Sequence, residues 1–104
     1  MKRWTPGIAA VTLCLLGAHV AHAGLRSLRQ AARSGAPNAE LKLGELYQYG
    51  VGQPDHLIRA LAWYERAAPK SARAAELARQ TAALLTPAER QRAAAWSKGR
   101  LGPP

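Results

Sequence analysis

Cysteine is all but missing from this 104-residue chain. Cys14 is the single one, and it lies in an uncharged apolar stretch near the start. No disulfide can staple the remainder, and no cluster of thiolates is present to hold zinc. Phenylalanine is absent, and beyond residue 23 the large aromatics are Tyr47, Tyr49, Trp63, Tyr64 and Trp96. Such a chain can bury a modest core, so its stability rests on close packing of small and aliphatic side chains. Acid is scarce as well: six Asp and Glu stand against 15 Lys and Arg, for a formal net charge of +9.

The first 23 residues read as a leader. Lys2 and Arg3 precede an apolar run from Gly7 to Val20, no charge follows until Arg26, and Ala21-His22-Ala23 forms an A-x-A cleavage pattern. This is the layout of a secretory signal peptide, with Gly24 as the new N-terminus. The competing reading is an uncleaved anchor, but the run is near the short limit for a span and His19 and His22 break its end. Leu13 precedes Cys14 where a lipoprotein site needs a small residue, so no lipid attachment is expected. The expected destination is across the inner membrane, in the periplasm, with no stable span once the leader is removed. Without Lys2 and Arg3 the charge falls from +9 to +7.

Arg26, Arg29, Arg33, Arg59, Arg66, Arg73, Arg79, Arg90 and Arg92 are spread along the chain and form no block. Distributed charge of this kind serves solvated helix faces, or it attracts something anionic; it does not by itself define a site.

The rest reads as helical throughout. A first helix runs from about Leu25 to Arg33, ended by Ser34-Gly35, and Pro37 suits the first turn of the next. The second runs from about Pro37 to Tyr49, with Ala39, Leu43, Leu46 and Tyr47 on one face and Leu41 outside it. Gly44 sits in mid-helix, where glycine costs about 1 kcal/mol against alanine; a close helix–helix approach would explain it. Gly50 to Pro54 is a turn, after which Asp55 is placed to cap a third helix from about His56 to Ala68. Leu57, Ala60, Leu61, Tyr64, Ala67 and Ala68 make its stripe, and Pro69 stops it. A fourth helix spans about Ala72 to Leu85, with Leu84 and Leu85 on its stripe. Thr86-Pro87-Ala88-Glu89 is a capping box that opens a fifth helix to about Lys98, and Gly99 to Pro104 reads as a flexible tail.

Two stretches echo each other at an offset of 36 residues: Ala31-Ala32 with Ala67-Ala68, and Ala39-Glu40-Leu41 with Ala75-Glu76-Leu77. Leu25 and Leu61, and Ala36 and Ala72, keep the same offset. A period of this size marks an array of helical hairpins, whose last apolar face needs a cap. The stretch from Ala39 to Ala68 resembles a Sel1-like repeat, a relative of the tetratricopeptide repeat. The residues that carry the likeness are Ala39, Leu43, Gly44, Tyr47, Gly50, Gly52, Asp55, Ala60, Trp63, Tyr64, Ala67 and Ala68. Gly52 and Asp55 stand one residue closer than in the usual pattern, and Gln53 replaces its valine. The resemblance covers one full repeat with partial repeats on each side. It implies an all-α fold, a short superhelix of α–α hairpins with about five helices and a capping helix at the C-terminus, over residues 24–98. It also implies a scaffold or adaptor role in protein–protein contact, in bacterial envelopes. One full repeat is fewer than such arrays normally need, which points to a partner protein or a second copy.

Catalytic material is thin. Beyond residue 23, His56 is the only histidine. It neighbours Asp55, but adjacent residues rarely aim at one atom, and no serine has a nucleophile context. There is no His pair for a metal. Gly50-x-Gly52 lacks the setting of a phosphate loop, and the glutamates are scattered. The expectation is a chain with no catalytic residue, metal or cofactor. The sharper feature is Trp63 between Arg59 and Arg66, which share one side of the helix and can stack on the indole. Trp and Arg are the types enriched in interface hot spots, so Trp63, Arg59, Arg66 and the helix-end Tyr49 are the candidate contact residues; the competing reading makes Trp63 the repeat's ordinary packing tryptophan, half buried against the next hairpin. The expected partner is another protein of the cell envelope, with no specific nucleic acid. The alternative is a basic envelope protein that holds anionic lipid or polymer by distributed charge.

Overall fold

The computed structural model describes residues 24–50 and 53–99. The leader expected over 1–23, Gly52 of the turn and residues 100–104 of the tail lie outside the described residues. The described part is all-helical and contains no strand: α1 (24–33), α2 (Pro37–Gln48), α3 (His56–Ala67) continued by a 3₁₀ turn (Ala68–Lys70), α4 (Ala72–Ala82) and α5 (Pro87–Ser97). None of these helices is long and apolar enough to cross a membrane.

Local chemistry sets the helix ends. Gly35 adopts φ +92°, a left-handed backbone that closes α1. The Gly35 N–H then donates to Ala32 O (3.0 Å) and the Ala36 N–H to Ala31 O (3.1 Å), the paired bonds of a Schellman motif. Pro37 starts α2 two residues later. Ser71 caps α4 by accepting from the Ala74 N–H at 3.2 Å. The capping box expected at α5 is complete, with Glu89 N–H donating to Thr86 Oγ1 (3.2 Å) and Thr86 N–H to Glu89 Oε1 (2.9 Å).

Asp55 departs from its expected role. It occupies the N-cap position of α3 but with φ 60° and ψ 23°, and its side chain caps nothing. The left-handed backbone turns the carboxylate away from the first-turn N–H groups, and it pairs instead with Arg92 of α5 at 3.0 Å. His56 is half-buried, and its Nδ1 donates to Tyr47 O at 3.1 Å.

α3 is the central element and packs against α2, α4 and α5. Ile58, Ala60, Leu61, Ala62, Trp63, Tyr64 and Ala67 are all buried on it. The single apolar stripe expected for this helix is therefore too narrow. A helix buried on nearly all sides must have neighbours around it, and three clusters supply them. Trp63 meets Ala32 of α1 with Ala39 and Leu43 of α2. Ala60 and Tyr64 meet Leu77 of α4, with Leu41 and Tyr47 of α2 alongside. Ile58, Leu61 and Ala62 meet Leu85, Ala93 and Trp96, so α5 covers α3 directly. α4 ends at Ala82, short of the expected Leu85. Leu85 is buried while Leu84 is 69% exposed. The echoed positions do not share surroundings: Leu61 is buried, whereas Leu25 lies open on α1.

Gly44 has the close approach its position suggested. A Cβ built there would lie 2.5 Å from Cε1 and 2.6 Å from Cδ1 of Tyr64. That ring is fully buried and its hydroxyl donates to Gln48 Oε1, so it has little room to withdraw. Gly44→Ala should therefore destabilise the protein by about 1–2 kcal/mol, because overpacking of about 1–3 kcal/mol or more outweighs the propensity gain. Urea unfolding followed by circular dichroism checks this; a stabilised variant would disprove the contact.

Candidate functional site

The cluster predicted around Trp63 exists, but it faces inward. Trp63 has no exposed surface and fills the space between α1, α2 and α3, so it cannot be a contact residue. The guanidinium of Arg66 stacks over the Trp63 ring at 5.0 Å. From there Arg66 Nε donates to Ser97 O and Nη2 to Trp96 O, both at 3.1 Å. A cation placed on the last carbonyls of a helix satisfies orphan acceptors and opposes the helix dipole, so Arg66 locks the end of α5 onto α3. Arg59, also half-buried, lies over the Trp96 ring at 4.9 Å. Arg90 treats α4 similarly, donating from Nη1 to Leu85 O at 2.7 Å and Ala82 O at 3.2 Å. Arg59 and Arg66 thus brace the fold.

Tyr49 is the predicted contact residue that does reach solvent, at 75% exposure. It lies just past α2, beside Leu46 of that helix (51% exposed), and Leu25 of α1 is open on the same side of the molecule. Leu46 was expected on the core stripe with Leu43. It sits at the edge of that arc, about 60° from Leu43, and helical spacing groups it with Lys42 and Tyr49 on the adjoining, outward side. Two shallow depressions flank it. One of about 400 Å³ is lined by Leu28, Lys42, Glu45, Leu46 and Tyr49. A smaller one of about 190 Å³ includes Leu25, Arg29, Leu43 and Tyr47. Three of the four exposed large apolar side chains among the described residues gather here. The spacing of Leu46 and Tyr49 beside the exposed Lys42 was the signal available in the sequence.

The ionisable groups elsewhere are mostly committed. Glu40 is buried on α2; desolvation raises its pKa, with Arg66 and Lys70 pulling the other way. Glu65 is half-buried and raised for the same reason, opposed by Ser97 and Lys98. Both line one cleft with Arg66 and Lys70. Burial also raises the Tyr64 hydroxyl, helped by Glu45 and Tyr49 and opposed by Arg73. Glu76 is exposed and lowered by its hydrogen bonds with Arg79 and Gln80. Asp55 and His56 point at Arg92 and Tyr47 O, and share no third group. Among the described residues no three His, Cys, Asp or Glu come together as a metal-holding group. No protein-family model, curated protein or solved structure matches the chain.

Arg66→Ala should lose about 1–3 kcal/mol through the freed α5 carbonyls, whereas Tyr49→Ala should stay within about 0.5 kcal/mol of the parent; thermal unfolding separates them. Glu40 binds its proton more tightly when folded than unfolded, so the penalty of its charge is full above the raised pKa. That penalty fades as pH falls through the raised value toward the ordinary glutamate range. Glu40→Gln should therefore raise Tm at pH 7, and the gain should shrink as unfolding is followed down to the ordinary glutamate pKa.

Proposed function

We propose that the chain is a non-catalytic protein-interaction module of the cell envelope, built as a short Sel1-like stack of helical hairpins. The leader pattern over 1–23 and the repeat-like residues from Ala39 to Ala68 support that reading. So does the fit of Gly44 against Tyr64, two positions of the repeat pattern. The single observation that carries it is the apolar face of Leu25, Leu46 and Tyr49 between α1 and α2. An open patch rimmed by polar residues on a domain this small marks a contact surface.

A second reading has its own support. Arg26, Arg29 and Arg33 share one side of α1 and make no ion pair or ring contact among the described residues. A free cationic stripe suits anionic lipid or polymer. The two readings separate by salt and by residue. A photo-crosslinker at Tyr49, compared with one at the exposed Gln80 of α4, should give a discrete protein adduct at Tyr49 that persists in moderate salt. Attachment that disappears with salt and ignores Leu46→Ser would favour the polyanion reading.

A further inference from the structure

We propose that the α1–α2 groove receives an acidic amphipathic helix from a different protein, whose apolar side chains seat beside Leu46 while its carboxylates meet Arg26, Arg29 and Arg33. This rests on the interaction-module reading and specifies the partner's chemistry.

The groove sets the apolar half of the match. Leu46 stands as a ridge with a depression on each side, floored by Leu28 and Tyr49 on one and Leu25 and Tyr47 on the other. Side chains spaced i, i+3 and i+4 on a helix can occupy both sides of such a ridge. A planar headgroup layer would cover the ridge and leave the depressions unfilled.

The rim sets the charged half. Arg29 lines the smaller depression, and Arg26 and Arg33 lie three residues before and four after it on the same exposed side of α1. Lys42 adds a cation on the α2 side, against one carboxylate, Glu45. Carboxylates at matching intervals on the incoming helix would meet three guanidiniums that make no ion pair among the described residues, a pairing that speeds encounter and excludes basic partners.

The acidic side chains of these 104 residues are already engaged, or lie in the groove itself. Of the six acidic residues, Glu40 is buried and Glu65 half-buried. Asp55 is paired with Arg92, Glu76 with Arg79, and Glu89 is spent in the capping box. Glu45 alone is left, and it lies in the groove itself. A second copy would bring a basic surface to a basic groove. The sequence before Glu40 contains no acidic residue at all, so the N-terminal stretch cannot supply the carboxylates either.

The test uses the purified full chain and three labelled probes: a peptide with Leu at i, i+3, i+4 and i+7 and Glu on the adjoining face, its Glu→Lys counterpart, and vesicles of phosphatidylcholine with phosphatidylglycerol. Fluorescence anisotropy should show saturable binding of the acidic peptide, one per chain, and none of the lysine peptide. Leu46→Ser and Arg29→Glu should each weaken it about 10-fold, while Leu84→Ser, which alters an exposed leucine elsewhere, should change it less than about 2-fold. All three positions are exposed, and circular dichroism confirms that the variants remain folded. Equal binding of both peptides, insensitivity to Leu46→Ser, uptake by the vesicles alone, or dimerisation of the chain through this face would overturn the proposal. A discrete protein adduct at Tyr49 without acidic-peptide binding would sink this inference and leave the interaction-module reading standing; loss of both would sink the two together.

Discussion

Everything in this fold follows from the burial of two neighbouring residues. Trp63 and Tyr64 are adjacent on α3, their side chains diverge by about 100° around the helix axis, and neither is exposed. A helix can hide two such rings only if it is covered on both flanks. Trp63 requires α1 and α2, and Tyr64 requires α2 and α4, with Gly44 shaved to a hydrogen so that the Tyr64 ring fits. The third flank, carrying Ile58, Leu61 and Ala62, takes α5 and Trp96. No disulfide shares the task, so the two rings set where each helix stands.

The arginines complete that scaffold. Arg66 spans from the Trp63 ring to the last carbonyls of α5, Arg90 reaches the end of α4, and Arg59 and Arg92 flank Trp96. Planar guanidinium suits these places because it stacks and donates at once, which an ammonium does less well. The net charge of the chain is thus divided. One group of cations is consumed inside the fold, and the α1 arginines form a local stripe that makes no ion pair among the described residues.

Much of this was legible in the residues. Helix ends with chemistry of their own, at Gly35, Pro37 and the Thr86–Glu89 box, fall where the sequence puts them, because capping depends on neighbours a few positions away. Gly44 announced a close contact for the same reason: a mid-helix glycine needs one. What failed at Trp63, Asp55 and Leu46 was decided by distant partners. Trp63 looked like a hot spot because the sequence shows that Arg59 and Arg66 flank it, but not that α1 closes over it. Asp55 looked like a cap because nothing nearby shows Arg92 waiting 37 residues on. Leu46 looked buried because it lies 60° from Leu43, and only the placement of α3 decides which side of that arc meets protein.

The open groove also bears on how firmly α1 is held. Its contacts with the core are made by small or half-buried residues, Leu28, Ala31 and Ala32, gathered around Trp63. Those side chains are mostly small, and the same helix carries Leu25 and the three arginines. A ligand lying across α1 and α2, as proposed, touches this joint directly. By mass action it stabilises the docked α1 in proportion to its occupancy, and a firmly docked α1 in turn presents the arginine stripe in a fixed register to the incoming carboxylates. On the proposed reading, binding and the seating of α1 are therefore one equilibrium.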